Sequence, residues 1–119
     1  MANITPFAGI RYNTQTIHNM ADVVAPPFDV ISKEEQKHFH DRHPNNITWL
    51  TLNETTEKDT DSDNPYTRAA DLYRTWLSRN ILVQDETPSY YLTSHTFSFE
   101  GKASTRYGLI ALVELEPFE

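Results

Sequence analysis

The chain has 119 residues, with 17 Asp and Glu against 10 Lys and Arg, a formal charge of −7, and no cysteine. That length suits a single domain over residues 1–119. The acidity opposes the phosphate neutralisation behind nucleic-acid and anionic-membrane binding, and the missing thiol excludes disulfide frameworks and thiolate chemistry.

Residues 1–9 contain neither a basic region nor a long apolar run, so no signal peptide or transmembrane helix is expected and the predicted address is the cytoplasm. Residues 4–13 read as a short strand, with Pro6 near its start and Gly9 marking a bend or close packing. A polar connection through Met20 leads to Val23-Val24-Ala25-Pro26-Pro27-Phe28-Asp29-Val30-Ile31-Ser32. Pro26 and Pro27 fix φ and remove two N–H donors, so the segment is a stiff presenter of Asp29 rather than a central strand. Ser32 and Glu35 form a capping box, predicting a short helix from Lys33 through Phe39 that ends before Pro44, with Phe39 as its main apolar anchor.

Residues 46–53 (Asn-Ile-Thr-Trp-Leu-Thr-Leu-Asn) are rich in β-branched and aromatic types and read as a strand. Residues 54–63 form a polar, acidic loop. The strongest helix follows, capped by Asn64 or Asp63 with Pro65 in its first turn. Tyr66, Ala69, Ala70, Tyr73, Trp76 and Leu77 are expected to make one buried stripe. Asn80 fits a left-handed stop and residues 81–83 a short strand. Residues 88–99 and 103–115 are two extended runs around Glu100-Gly101-Lys102, a hairpin signal. With Glu100 and Gly101 as the loop, Phe99 faces Lys102, His95 faces Arg106 and Leu92 faces Leu109. Both faces then carry apolar residues and expect cover. The run reaches Pro117-Phe118-Glu119 directly, which reads as a fragment with an apolar surface around residues 109–115.

The predicted fold class is α+β, a mixed or mainly antiparallel sheet with two helices packed on it. Asp29 is the candidate catalytic carboxylate, held rigidly among apolar neighbours. The other reading has it bond a nearby backbone N–H at the helix start. Arg11, beside Tyr12, offers a planar fork for a carboxylate or phosphate; the alternative is an internal ion pair, with Asp29 as one partner. His95 and Arg106 would form a cross-strand polar patch. Asp59-Thr60-Asp61-Ser62-Asp63 imitates a calcium loop, but Asn64 and Ala70 stand where Gly and Glu are needed. His38, His40 and His43 lack i, i+4 spacing, so no metal is predicted. No residue pattern specifies a cofactor. The Asn46-Ile47-Thr48 sequon lacks a secretory address.

Four blocks resemble, in order, the N-terminal part of the domain-of-unknown-function family numbered 1015. They are Pro6-Phe7-Ala8-Gly9-Ile10-Arg11-Tyr12, the Val23 to Ser32 segment, Asn64-Pro65-Tyr66-Thr67-Arg68-Ala69, and Arg106-Tyr107-Gly108-Leu109-Ile110-Ala111-Leu112-Val113. The resemblance implies a longer parent protein whose C-terminal part would be this chain's partner. It also implies small-molecule enzymology, through an association with serine and phosphoglycerate metabolism. The expected function is therefore part of a cytosolic enzyme acting on a small phosphorylated or carboxylated metabolite, with Asp29 catalytic and Arg11, Tyr12, His95 and Arg106 binding the anion. The competing class is a non-catalytic scaffold or protein-interaction domain.

Overall fold

The computed structural model describes residues 2–117, so Phe118 and Glu119, at the end of the predicted C-terminal run, lie outside the described residues. The fold is α+β. In chain order it contains β1 (Ile4–Thr5), β2 (Ile10–Tyr12), α1 (Lys33–Arg42), α2 (Thr48–Thr51), α3 (Pro65–Ser78), β3 (Leu82–Gln84), β4 (Tyr91–Phe99), β5 (Lys102–Ile110) and β6 (Leu112–Val113). Among the described residues the strands form three two-stranded sheets, β1 with β6, β2 with β3 and β4 with β5. The chain divides into two compact units, Arg11–Val83 and the pair of segments Met1–Ile10 and Gln84–Glu119.

In the helical unit, Arg11–Val83, local capping sets the helix starts. Ser32 Oγ accepts from Glu35 N at 3.2 Å while Glu35 Oε2 accepts from Ser32 N at 2.8 Å, so both halves of the capping box form. α1 runs on to Arg42, and His40 rather than Phe39 is its buried residue. At α3, Asn64 Oδ1 accepts from Tyr66 N and Thr67 N, with Pro65 in the first turn. The helix closes on Asn80 at φ 56°, the left-handed stop read from the sequence.

Residues 46–53 are not the expected strand but a turn leading into α2. Asn46 is fully buried, and its Oδ1 accepts from Thr48 N at 3.1 Å and Thr48 Oγ1 at 2.8 Å. Its Nδ2 donates to the carbonyls of Asp22 at 2.9 Å and Val24 at 3.3 Å. A local side-chain network of this kind outcompetes the β preference of Ile47, Thr48 and Trp49. The stripe on α3 is also rotated: Trp76 is 2% exposed, but Tyr66 is 86% exposed and Tyr73 stands at 38%. Pro65, Ala69, Leu72 and Trp76 share the inward line, while Tyr66 and Tyr73, seven residues apart, follow its outer flank. The unit's core combines Ile17, Val23, Trp76 and Leu82 with buried Asn46, Thr48 and His40.

In the other unit, β1 and β6 pair antiparallel through Ile4 with Val113 and Thr5 with Leu112. The expected strand over residues 4–13 is interrupted into β1, an isolated bridge from Phe7 to Ser89, and β2. Gly9 is buried, its N donates to Tyr91 Oη at 2.7 Å, and a Cβ there would lie 2.5 Å from that oxygen. The β4–β5 hairpin has the predicted register, with Phe99 opposite Lys102, His95 opposite Arg106 and Leu92 opposite Leu109. Glu100 at φ 47° and Gly101 at φ 75° make the two-residue loop that matches strand twist. Neither face of the hairpin acquires the expected cover within its unit. Leu92 and Tyr107 are at least 70% exposed, and Phe99, Leu109 and Ile110 at least 50%.

Candidate functional site

The proline segment does what its sequence requires and then turns. Pro27 sits at φ −54° and ψ 142°, after which Phe28–Val30 form a single 3₁₀ turn. Val30 N donates to Pro27 O at 3.2 Å, and Ile31 returns to extended geometry ahead of the Ser32 cap. Asp29 stands exposed on this turn, and among the described residues its carboxylate takes part in no hydrogen bond or ion pair. It therefore does not bond the helix start, which Ser32 and Glu35 complete between themselves.

Phe28, next to Asp29, lines a groove of about 560 Å³ in the helical unit, within the size range of small-molecule sites. The α2 end and the following loop supply Leu50, Thr51, Leu52, Asn53 and Thr55; the first turn of α3 supplies Pro65, Tyr66 and Ala69. The groove floor is tied down. Gln36 Nε2 of α1 donates to Leu52 O at 2.8 Å, Asn53 Nδ2 donates to Trp49 O at 2.8 Å, and Asn53 Oδ1 accepts from Glu54 N at 2.8 Å. Two adjoining grooves of about 380 and 340 Å³ also reach Asn53, one bordered by Lys33 and Glu54, the other by Arg68 and Asp71. These bonds fix the Leu52 backbone and the Asn53 side chain within the lining.

The remaining sequence candidates fall elsewhere. Arg11 lies on β2 and has interactions of its own within the chain; Asp29 is not its partner, so the internal ion pair considered for the two does not form. Neither residue lines the three grooves. Tyr12 is half-buried against Trp76, with ring centroids 6.2 Å apart, and its hydroxyl donates to Asn45 O at 2.7 Å. Burial pushes its phenol up to about 12, which suits a structural hydroxyl rather than a proton carrier at neutral pH. His95 and Arg106 face each other across the hairpin, both exposed, with the His95 ring 5.8 Å from Phe97.

Two polar arrangements were not legible beforehand. His40, 6% exposed, stacks on Trp49 with centroids 3.7 Å apart and planes 10° apart, and its Nδ1 lies 3.6 Å from Glu54 Oε1. The signal was faint, a histidine one position beyond the apolar residue expected to anchor α1. Arg68 gathers the acidic loop, donating to Glu54 O at 2.7 Å, Asp59 Oδ1 at 2.9 Å and Asp63 Oδ1 at 2.7 Å. The Thr56 N–H, then the Arg68 guanidinium and the Thr56 hydroxyl, hold the Asp59 carboxyl below its ordinary value. That carboxylate is thus already occupied at the calcium-like segment. Among the described residues no group of three His, Cys, Asp or Glu is placed to hold a metal ion.

The sequence of residues 4–119 matches the family described as protein of unknown function, DUF1015. The chain belongs to that family. The match embraces both units, so the proline turn, the groove and the hairpin are all parts of the DUF1015 region. No curated protein and no solved structure matches this DUF1015 chain. Among the described residues, no helix is long and apolar enough to cross a membrane.

Proposed function

We propose that this chain is part of a cytoplasmic enzyme acting on a small polar metabolite, phosphorylated or carboxylated, bound beside the proline turn. The observation that carries this reading is the pairing of an unengaged carboxylate, Asp29, with an adjacent ring, Phe28, that forms one wall of the 560 Å³ groove. A carboxylate with no internal partner, fixed on a stiff turn, can accept a proton or a hydrogen bond from a ligand without first breaking a bond of the fold. Asp29→Asn should leave the melting temperature unchanged and weaken binding or turnover of such metabolites by about tenfold or more. A fall in melting temperature with every ligand response intact would make Asp29 structural and remove the proposal's basis.

A second reading has its own support. The β4–β5 hairpin leaves Leu92, Phe99, Tyr107 and Leu109 exposed on its two faces, as an interaction module would. Under that reading the partner is another protein surface, and no nucleic acid or membrane is involved.

A further inference from the structure

The lining of the 560 Å³ groove contains no Asp, Glu, Lys, Arg or His, in a chain of which 23% is charged. The start of α3 borders it, yet that helix end offers an anion no free donor. Tyr66 N and Thr67 N already donate to Asn64 Oδ1 at 3.0 and 3.2 Å, and Asn64 N donates to Thr67 Oγ1 at 2.9 Å. What the groove does present is aromatic surface: Tyr66 is 86% exposed and Phe28 59% exposed. Large rings left in water on the wall of a groove are suited to stacking. The hydroxyls of Thr55 and Tyr66, which bond nothing else among the described residues, can meet polar atoms on a ring edge.

We infer that this groove binds an uncharged planar heterocycle with a hydrogen-bonding edge, the ring portion of a nucleoside or a molecule like it. The inference deepens the proposed function, and rests on it in taking the groove as the ligand site: the ring enters the groove and the anionic group of the metabolite stays outside it.

The test uses the whole 119-residue chain, with adenosine as the ring probe and inorganic phosphate as the charged one, read by saturation-transfer NMR and equilibrium titration. Adenosine should bind, Tyr66→Ala and Phe28→Ala should each weaken it by about tenfold, and Tyr66→Phe should retain the stack. Both rings are exposed, so the Ala variants should fold as the parent does, which their circular dichroism would verify. If Asp29→Asn leaves every response to phosphorylated and carboxylated metabolites intact while adenosine still binds through Tyr66 and Phe28, the enzyme reading fails and this inference does not. The inference is overturned if adenosine shows no saturation transfer, if the two Ala variants bind it as the parent does, or if inorganic phosphate displaces it.

Discussion

Replacing Asn46 with Ala removes four hydrogen bonds at one fully buried position, to Asp22 O, Val24 O, Thr48 N and Thr48 Oγ1. Each buried polar group left unpaired costs about 1–3 kcal/mol, and Thr48, itself fully buried, would be left with an N–H and a hydroxyl in that state. The two carbonyls add less, because a C=O tolerates under-satisfaction better than an N–H. The expected loss is about 3–5 kcal/mol, a large share of the stability of a small domain. Both tryptophans, Trp49 and Trp76, lie in the helical unit, so their fluorescence under urea follows that unit alone. The midpoint should fall with little change in slope. Thr48→Val, which deletes one of the four bonds, should cost about 1 kcal/mol. Asn46→Asp turns two donors into an acceptor facing two carbonyls. Its buried carboxyl would titrate above its ordinary value, so this variant should lose most at neutral pH and recover as pH falls through the raised value. An Asn46→Ala loss under about 1 kcal/mol would refute the claim that this network determines the α2 turn.

Gly9→Ala should cost about 1–3 kcal/mol in thermal unfolding, because the new Cβ would lie 2.5 Å from Tyr91 Oη; an unchanged melt would mean the approach is not rigid. Glu100→Asn, at φ 47° beside Gly101, should stabilise the hairpin by about 0.5–1 kcal/mol, seen as slower amide exchange in β4 and β5. Faster exchange would contradict the assigned loop. Tyr12, raised to about 12 by burial, is neutral in the fold. Its folded value exceeds its unfolded one, so its contribution is complete below pH about 10 and is lost as pH rises toward about 12. Ultraviolet phenolate titration should show a late step in the parent that is missing from Tyr12→Phe, and identical curves would contradict the burial.

Where structure is decided by a few neighbouring residues, the sequence was a good guide. Ser32 with Glu35, Asn64 with Pro65, Asn80, and Glu100-Gly101 all carry their own local hydrogen bonds or φ preferences, and the helix ends and hairpin register follow from them. The misreadings arose where a distant partner decides. Asn46 makes a turn because the carbonyls of Asp22 and Val24 lie against it, more than twenty residues back in the chain, and period and propensity cannot register that. Tyr66 fits the helical stripe by spacing, yet it lies with Tyr73 on the outer flank of the line through Pro65, Ala69, Leu72 and Trp76. Its exposure, which gives the groove a wall, depends on packing the spacing does not encode. Asp29 stands out in the sequence for the two prolines before it, and the structure has it exposed on a 3₁₀ turn after Pro27, between the exposed side chains of Phe28 and Val30. The groove beside it joins three segments from different parts of the unit and had no sequence signature.

The most direct test of a small-molecule site beside the proline turn is a map of backbone amide shifts in the whole chain, titrated with a panel of phosphorylated and carboxylated metabolites. The account predicts that a binding metabolite moves the amides of Phe28, Asp29, residues 50–55 and Tyr66 saturably, at all protein concentrations. If no metabolite perturbs those amides, and changes are confined to β4 and β5 and grow with protein concentration, the hairpin is the functional surface and the enzyme reading is wrong.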